Sequence, residues 1–264
     1  LPSNKDWKDL GKIYTIDEKL NSIITPGTRV EKIADGFSFT EGPVWHPDGY
    51  LLFSDPNTNT IYRYNPANHN VTIYMSHSGY TGADISEYGQ PGSNGLAIDK
   101  EGRLIVDQHG NRRVVRYEKK GPLTVLADKI EGRRFNSPND VLLKSDGTVY
   151  FTDPPYGLPN FFNDTKKELD YSGVFMIRDG KVSVVSKDLG GPNGLAFSPD
   201  EKYFYVSNWD IRDIHHTKTL WRYEVQPDGS LKNGKIFYDF SFTEDDEALD
   251  GIKVDKEGNL FVSA

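Results

Sequence analysis

The chain has 264 residues, with 31 Lys+Arg against 39 Asp+Glu, a net charge of -8 and no cysteine. That balance excludes a nucleic-acid or anionic-membrane partner, because no basic block offsets the acidic residues. The lack of thiols excludes disulfides, thiolate metal sites and cysteine nucleophiles. No apolar run approaches the roughly 18 residues a spanning helix needs, so the expectation is a soluble protein, periplasmic or secreted rather than cytoplasmic, acting as a monomer or small homo-oligomer.

Residues 1–28 lack any strand pattern and form an N-terminal arm, with one short helix expected from Asp17 to Ile24 and ended by Pro26-Gly27. From residue 29 to 264 the pattern is β throughout, in short runs punctuated by Gly, Pro, Asn and Asp. The clearest unit runs from Arg134 to Tyr156. An Asn139-Asp140 pair precedes the apolar run Val141–Leu143, a turn at Ser145-Asp146-Gly147 and a second run Val149–Phe151 that closes on Asp153. This is a β-hairpin signature.

The same unit begins at Glu41, Asn94, Asn193 and Asp250, a spacing of roughly 45 to 57 residues. That period suits one four-stranded propeller blade per repeat, so the fold expected is an all-β propeller over 29–264. The last repeat, Asp250 to Ala264, provides only two strands. An open propeller would expose strand edges, so at least one further blade is expected beyond Ala264. Two connections, His77 to Pro91 and Tyr156 to Ser172, are longer than a hairpin needs and are candidate specificity loops.

A propeller brings the start of each innermost strand to one mouth of its central channel. In that slot stand Glu41, Asn94, Asn139, Asn193 and Asp250, all oxygen donors. Such a ring suits a hard divalent cation, calcium first, then magnesium or manganese, with zinc also possible. An Asn-Gly or Asp-Gly pair taken alone reads as a turn, but Glu41 does not fit a pure turn explanation. No nucleotide loop, G-x-S-x-G elbow or zinc-protease H-E-x-x-H motif is present.

Six motifs, Phe39 to Trp45, His109 to Arg113, Arg134 to Asp140, Phe151 to Gly157, Pro192 to Asp200 and Leu249 to Gly251, make the chain resemble the gluconolactonase branch of the SMP-30/gluconolactonase/LRE family of six-bladed propellers. The resemblance implies a channel cation held by Glu41, Asn139, Asn193 and Asp250, above which a sugar lactone such as glucono-1,5-lactone is hydrolysed. It also implies that Asn139 touches substrate. The general base is expected to be Asp250, with His109 as the runner-up. Asn94, Asn136, Arg134 and Tyr156 are further substrate-binding candidates, while Arg112, Arg113, Arg133 and Trp209 are weighed against structural roles, and His215-His216 are expected at the surface. Two alternatives stand beside this reading: a calcium-stabilised propeller without catalysis, and an aryl-ester or phosphoester hydrolase on the same scaffold.

Overall fold

The computed structural model describes residues 11–212, 217–241 and 248–264. They fall into two compact units, 11–37 and Ser38–Ala264. In the first, the only regular element is a 3-10 helix, Glu18–Ser22, begun by the Asp17 carboxylate, which accepts from the Lys19 N–H at 2.9 Å. It is shorter than the Asp17 to Ile24 expectation. None of its residues is buried, and without an apolar face to pack a single turn does not propagate.

The second unit is all-β. Strands β1 (Glu41–His46), β2 (Tyr50–Asp55), β3 (Thr60–Asn65) and β4 (Asn70–Ser76) form a four-stranded sheet in chain order. The second sheet comprises β5 (Ser93–Ile98), β6 (Leu104–Gln108), β7 (Arg113–Arg116) and β8 (Thr124–Ala127), followed by a small hairpin, β9 (Lys129–Ile130) and β10 (Arg133–Arg134). Sheet three holds β11 (Val141–Leu143), β12 (Val149–Thr152), β13 (Val174–Arg178) and β14 (Lys181–Ser186). Sheet four holds β15 (Pro192–Phe197), β16 (Tyr203–Asp210), β17 (Thr217–Val225) and β18 (Leu231–Asp239), and β19 (Ile252–Val254) with β20 (Leu260–Val262) ends the series as a two-stranded sheet. All pairings are antiparallel. The first strands lie side by side in the order β1, β5, β11, β15, β19. Among the described residues, no helix is long and apolar enough to cross a membrane.

The core lies in slabs between successive sheets. On β12, Val149 and Phe151 face the slab shared with the second sheet while Tyr150 faces the slab shared with the fourth. On β6, Leu104 and Val106 pack toward the first sheet and Ile105 toward the third. Strand side chains alternate faces, so a strand buried on both faces needs an unbroken apolar run. That is why these second strands read Leu-Ile-Val and Val-Tyr-Phe. Phe135 is fully buried, edge-on to Phe151 and Phe175 at centroid distances of 5.0 and 5.1 Å. Phe135→Ala is expected to lower the unfolding free energy by about 3–5 kcal/mol, measured by urea titration; a loss under about 1 kcal/mol would mean that this slab collapses around the cavity.

Candidate active site

The first strands begin at the mouth of a cavity of about 500 Å3, lined in part by Phe39, Glu41, Asn94, Asn139, Asn193 and Asp250. The expected oxygen donors are therefore brought together, but their register differs in one respect. Asn94, Asn139, Asn193 and Asp250 each stand two residues before the residue that opens the regular pairing, namely Leu96, Val141, Leu195 and Ile252. In the first sheet that residue is Val44, so the equivalent position is Gly42. Glu41 lies one residue further out, paired with Ser54 as Ser93 pairs with Gln108 and Pro192 with Asn208. Its longer side chain reaches the cluster from outside the slot.

The glycines beside these donors are not turn residues either. Asn94-Gly95 and Asn193-Gly194 lie inside β5 and β15. A Cβ on Gly95 would stand 2.7 Å from the Asn139 carbonyl oxygen, and one on Gly194 would stand 2.3 Å from that of Asp250. Glycine is required because neighbouring first strands approach too closely for a side chain.

Glu41 and Asp250 form the acidic end of the cluster. Burial raises the proton affinity of both, and the charge of Asp140 raises both further. Asp250 adds to the effect on Glu41, whereas Asp250 itself accepts hydrogen bonds from Asn193 and from the Glu41 carboxyl. No lysine or arginine among the described residues forms an ion pair with either. Nor do three His, Cys, Asp or Glu side chains among the described residues gather into a cage. The donor set is two carboxylates plus amides. Buried carboxylates without a counter-charge are costly, and an all-oxygen, doubly acidic set fits a hard divalent cation.

Asp140, which sequence reasoning passed over, lines the same cavity. Its carboxylate accepts from the N–H groups of Val141 at 3.0 Å and Leu195 at 2.9 Å, tying the third sheet to the fourth. Lys253 also lines the cavity, and its charge offsets part of the burial effect on Asp140. The only sequence signal for Asp140 was its place directly after Asn139.

A continuous run of amides joins the two carboxylates. Asn94 donates to Glu41 and, through Nδ2, to Asn139 Oδ1 at 3.0 Å. Asn139 Nδ2 donates to Asn193 Oδ1 at 2.6 Å, and Asn193 Nδ2 reaches the Leu249 carbonyl at 3.5 Å. His109 Nε2 lies 3.1 Å from Asn139 Oδ1. The imidazole is fully buried, and burial lowers its pKa to about 4 despite the hydrogen bonds to Asn139 and to the Gln90 backbone.

The remaining candidates lie outside this cluster. Asn136 is buried, and its Nδ2 donates to the carbonyls of Asp153 at 3.0 Å and Tyr171 at 2.9 Å. Arg134 Nη2 donates to the Asn111 carbonyl at 3.0 Å. Arg112 donates to the carbonyls of Phe135 and Lys166, and Arg113 to the Gln108 side chain. Arg133 faces Asp170 and Glu131. Tyr156 is buried with its hydroxyl donating to the Trp209 carbonyl at 2.8 Å, the two rings 5.7 Å apart. Asp250 contributes to the raised proton affinity of this phenol after burial itself, which places the ring near the carboxylate end. The two long loops meet where Lys166 pairs with Glu87 at 3.0 Å and Asp84 at 3.5 Å. His215-His216 lie outside the described residues.

The sequence profile of the SMP-30/gluconolactonase/LRE-like region matches residues 39–264. A gluconolactonase of Zymomonas mobilis is 37% identical over 273 aligned residues, which cover 99% of this chain and 74% of the relative. The solved structure of a Xanthomonas campestris gluconolactonase superposes with a TM-score of 0.71 at 28% identity, covering 88% of this chain and 72% of that one. At 18% identity, a calcium-binding regucalcin of Agrobacterium tumefaciens shares the fold with a TM-score of 0.62, covering 86% and 68% of the two chains. The chain belongs to the SMP-30/gluconolactonase/LRE-like family.

Proposed function

We propose that this protein hydrolyses a sugar lactone, an aldono-1,5-lactone being converted with water to the aldonic acid, at the cavity where Glu41 and Asp250 meet. The 37% identity to a gluconolactonase across the whole chain supports a lactone-hydrolysing enzyme. The observation that carries the site is the pair of buried carboxylates, in mutual contact and without a basic partner, opening on a cavity lined by amides. In our reading Glu41, Asn193 and Asp250, with the Asn139 amide beside them, hold a divalent cation, calcium by preference. The calcium-binding neighbour of the same fold supports that choice. The scaffold in this reading is a six-bladed propeller, of which the four four-stranded sheets and the β19–β20 pair form a part.

When bound, the cation supplies Lewis-acid polarisation of the lactone carbonyl. The chain's own residues do the rest. Asp250, which lines the cavity, takes a proton from the attacking water as general base. Water oxygen adds to the carbonyl carbon, the ring ester C–O bond breaks, and the proton returns to the departing ring oxygen, leaving a hydroxy acid. Asn139 and Asn94 line the cavity and orient the substrate hydroxyls. Asn136, Arg134 and Tyr156 act in this reading by holding the surrounding loops.

The test is acid release from glucono-1,5-lactone, corrected for spontaneous hydrolysis, by chelator-treated protein before and after calcium is returned. Turnover should vanish on chelation and recover with calcium. Stabilisation by calcium without turnover on any lactone would instead favour a non-catalytic module, and turnover confined to aryl esters or phosphoesters would move the activity to that class.

A further inference from the structure

We infer that Arg112 is a positioning residue for substrate affinity, its buried guanidinium bridging the loop from Tyr156 to Ser172 to the segment that presents Asn139. Topology sets that loop at the mouth. Strand β12 ends at Thr152, which bonds the Asn139 and Asp140 backbone on one side and pairs with Val174 on the other, so the chain leaves and re-enters its sheet beside the cavity amides. The first long loop, His77 to Pro91, likewise ends at β5, next to Asn94.

Arg112 stands in the turn between β6 and β7 with φ of 58°, its N–H donating to the His109 carbonyl at 3.1 Å, and is only 4% exposed. Its Nε donates to the Phe135 carbonyl at 2.6 Å and its Nη1 to the Lys166 carbonyl at 2.8 Å. A planar fork reaches two acceptors on separate segments where a single ammonium does not. Charge pairing does not account for the burial. Among the described residues its one ion pair, to Glu168, is 4.0 Å long, and Nη2 is buried with no acceptor, an arrangement that costs stability. What the side chain supplies is a link. Beyond Phe135 the segment is fixed by the Asn136 N–H to the Asp153 carboxylate at 2.7 Å, Ser137 Oγ to the Pro154 carbonyl at 2.6 Å and the Asn139 N–H to the Thr152 carbonyl at 2.8 Å. The start of the loop joins it where the Gly157 N–H donates to Ser137 Oγ at 2.9 Å. The middle of the loop joins it through Arg112. The Lys166 side chain instead meets the first long loop at exposed Glu87 and Asp84, and exposed pairs contribute little. Without the bridge the loop samples arrangements that substrate must reorder, which raises KM by the lost competent fraction and leaves the chemical step alone. This kinetic consequence rests on the lactonase reading above, whereas the bridge itself does not.

Arg112→Lys keeps the charge and loses the fork. It should raise KM for glucono-1,5-lactone by about 5- to 20-fold with kcat within about 3-fold of wild type, and KM does not depend on how much of the variant folds. Lys166→Ala keeps the carbonyl and removes the rim contacts, so its KM should stay within about 2-fold of wild type. A wild-type KM in Arg112→Lys, a kcat loss without a KM rise, or an equal KM rise in Lys166→Ala would overturn the inference. Amide hydrogen exchange reads the bridge without substrate. In the wild-type chain the N–H groups of Asp164 and Lys166, bonded to the Phe161 carbonyl and the Asp164 carboxylate, should be protected at least about 100-fold over unstructured chain. Arg112→Lys should lose that protection while β12 keeps its own. Unprotected amides in wild type, or equal protection in the variant, would also overturn the inference, and the wild-type half decides even where the variant does not fold. If wild-type protein turned over no lactone, the functional reading would fall, and exchange would still decide the bridge.

Discussion

Asp250→Asn is expected to reduce kcat/KM on glucono-1,5-lactone by at least about 10^3-fold while leaving the calcium-free protein as stable as wild type or more stable. In the proposed mechanism the loss follows from removing the general base, a contribution of roughly 10^2 to 10^4 in rate, together with one of the two carboxylates proposed to hold the cation. The stability half has a separate cause. Burial raises the proton affinity of Asp250, the nearby Asp140 raises it further, and its charge in turn raises that of Glu41. A group pushed up in this way opposes folding above its unfolded pKa, where it would otherwise ionise. The neutral isostere removes that cost at pH 7, so the chelated variant should melt no lower than wild type. With calcium present the order should reverse, because wild type gains the binding free energy and the variant gains less. Thermal melts with chelator and with calcium, beside the lactone assay, check all three. If activity and calcium-free stability fell together, Asp250 would be a structural residue and not a catalytic one.

The sheets were legible in the sequence because strands buried on both faces leave uninterrupted apolar runs, and their hairpin turns stand between them. Val141–Leu143 and Val149–Thr152 were therefore visible in the linear pattern alone. The donor ring was legible for a related reason: the repeat carries Asn94, Asn139, Asn193 and Asp250 to equivalent register positions. What a linear pattern cannot carry is contact between sheets. Asn94-Gly95 has the composition of a turn, yet Gly95 answers to the carbonyl of Asn139 on the next sheet. Asn136 sits inside a motif beside Asn139, yet its amide is committed to two backbone carbonyls. Asp107 is a further case. Both its carboxylate oxygens are buried without a partner, at a register position where the third and fourth sheets carry Thr152 and Ser207, whose hydroxyls donate to the carbonyls of Asn193 and Asp250. Only the fold reveals that an acid stands where the neighbouring sheets use a hydroxyl.

Gly42→Ala is expected to destabilise the protein by roughly 2–5 kcal/mol and to reduce activity in the fraction that remains folded. Gly42 has φ of 54°, a conformation that costs an L side chain about 1–2 kcal/mol. A Cβ there would also stand 2.2 Å from the Asn94 carbonyl oxygen, and crowding of that kind typically adds about 1–3 kcal/mol. Gly49 separates the two effects. Its φ is 86° and nothing lies within 4 Å of the position a Cβ would take, so Gly49→Ala should carry the backbone cost alone. Urea titration of both variants measures the difference, and a loss at Gly42 no greater than at Gly49 would show that β1 and β5 can separate freely. The functional consequence follows from position. Gly42 fills the place that Asn94, Asn139, Asn193 and Asp250 occupy on their own strands, and the absence of a side chain there lets Glu41 reach the cluster from one residue further out. A methyl group that pushes β1 from β5 moves the Glu41 carboxylate away from Asn94 and Asp250 together. Calcium affinity should therefore fall in Gly42→Ala and stay near wild type in Gly49→Ala, even where both remain folded.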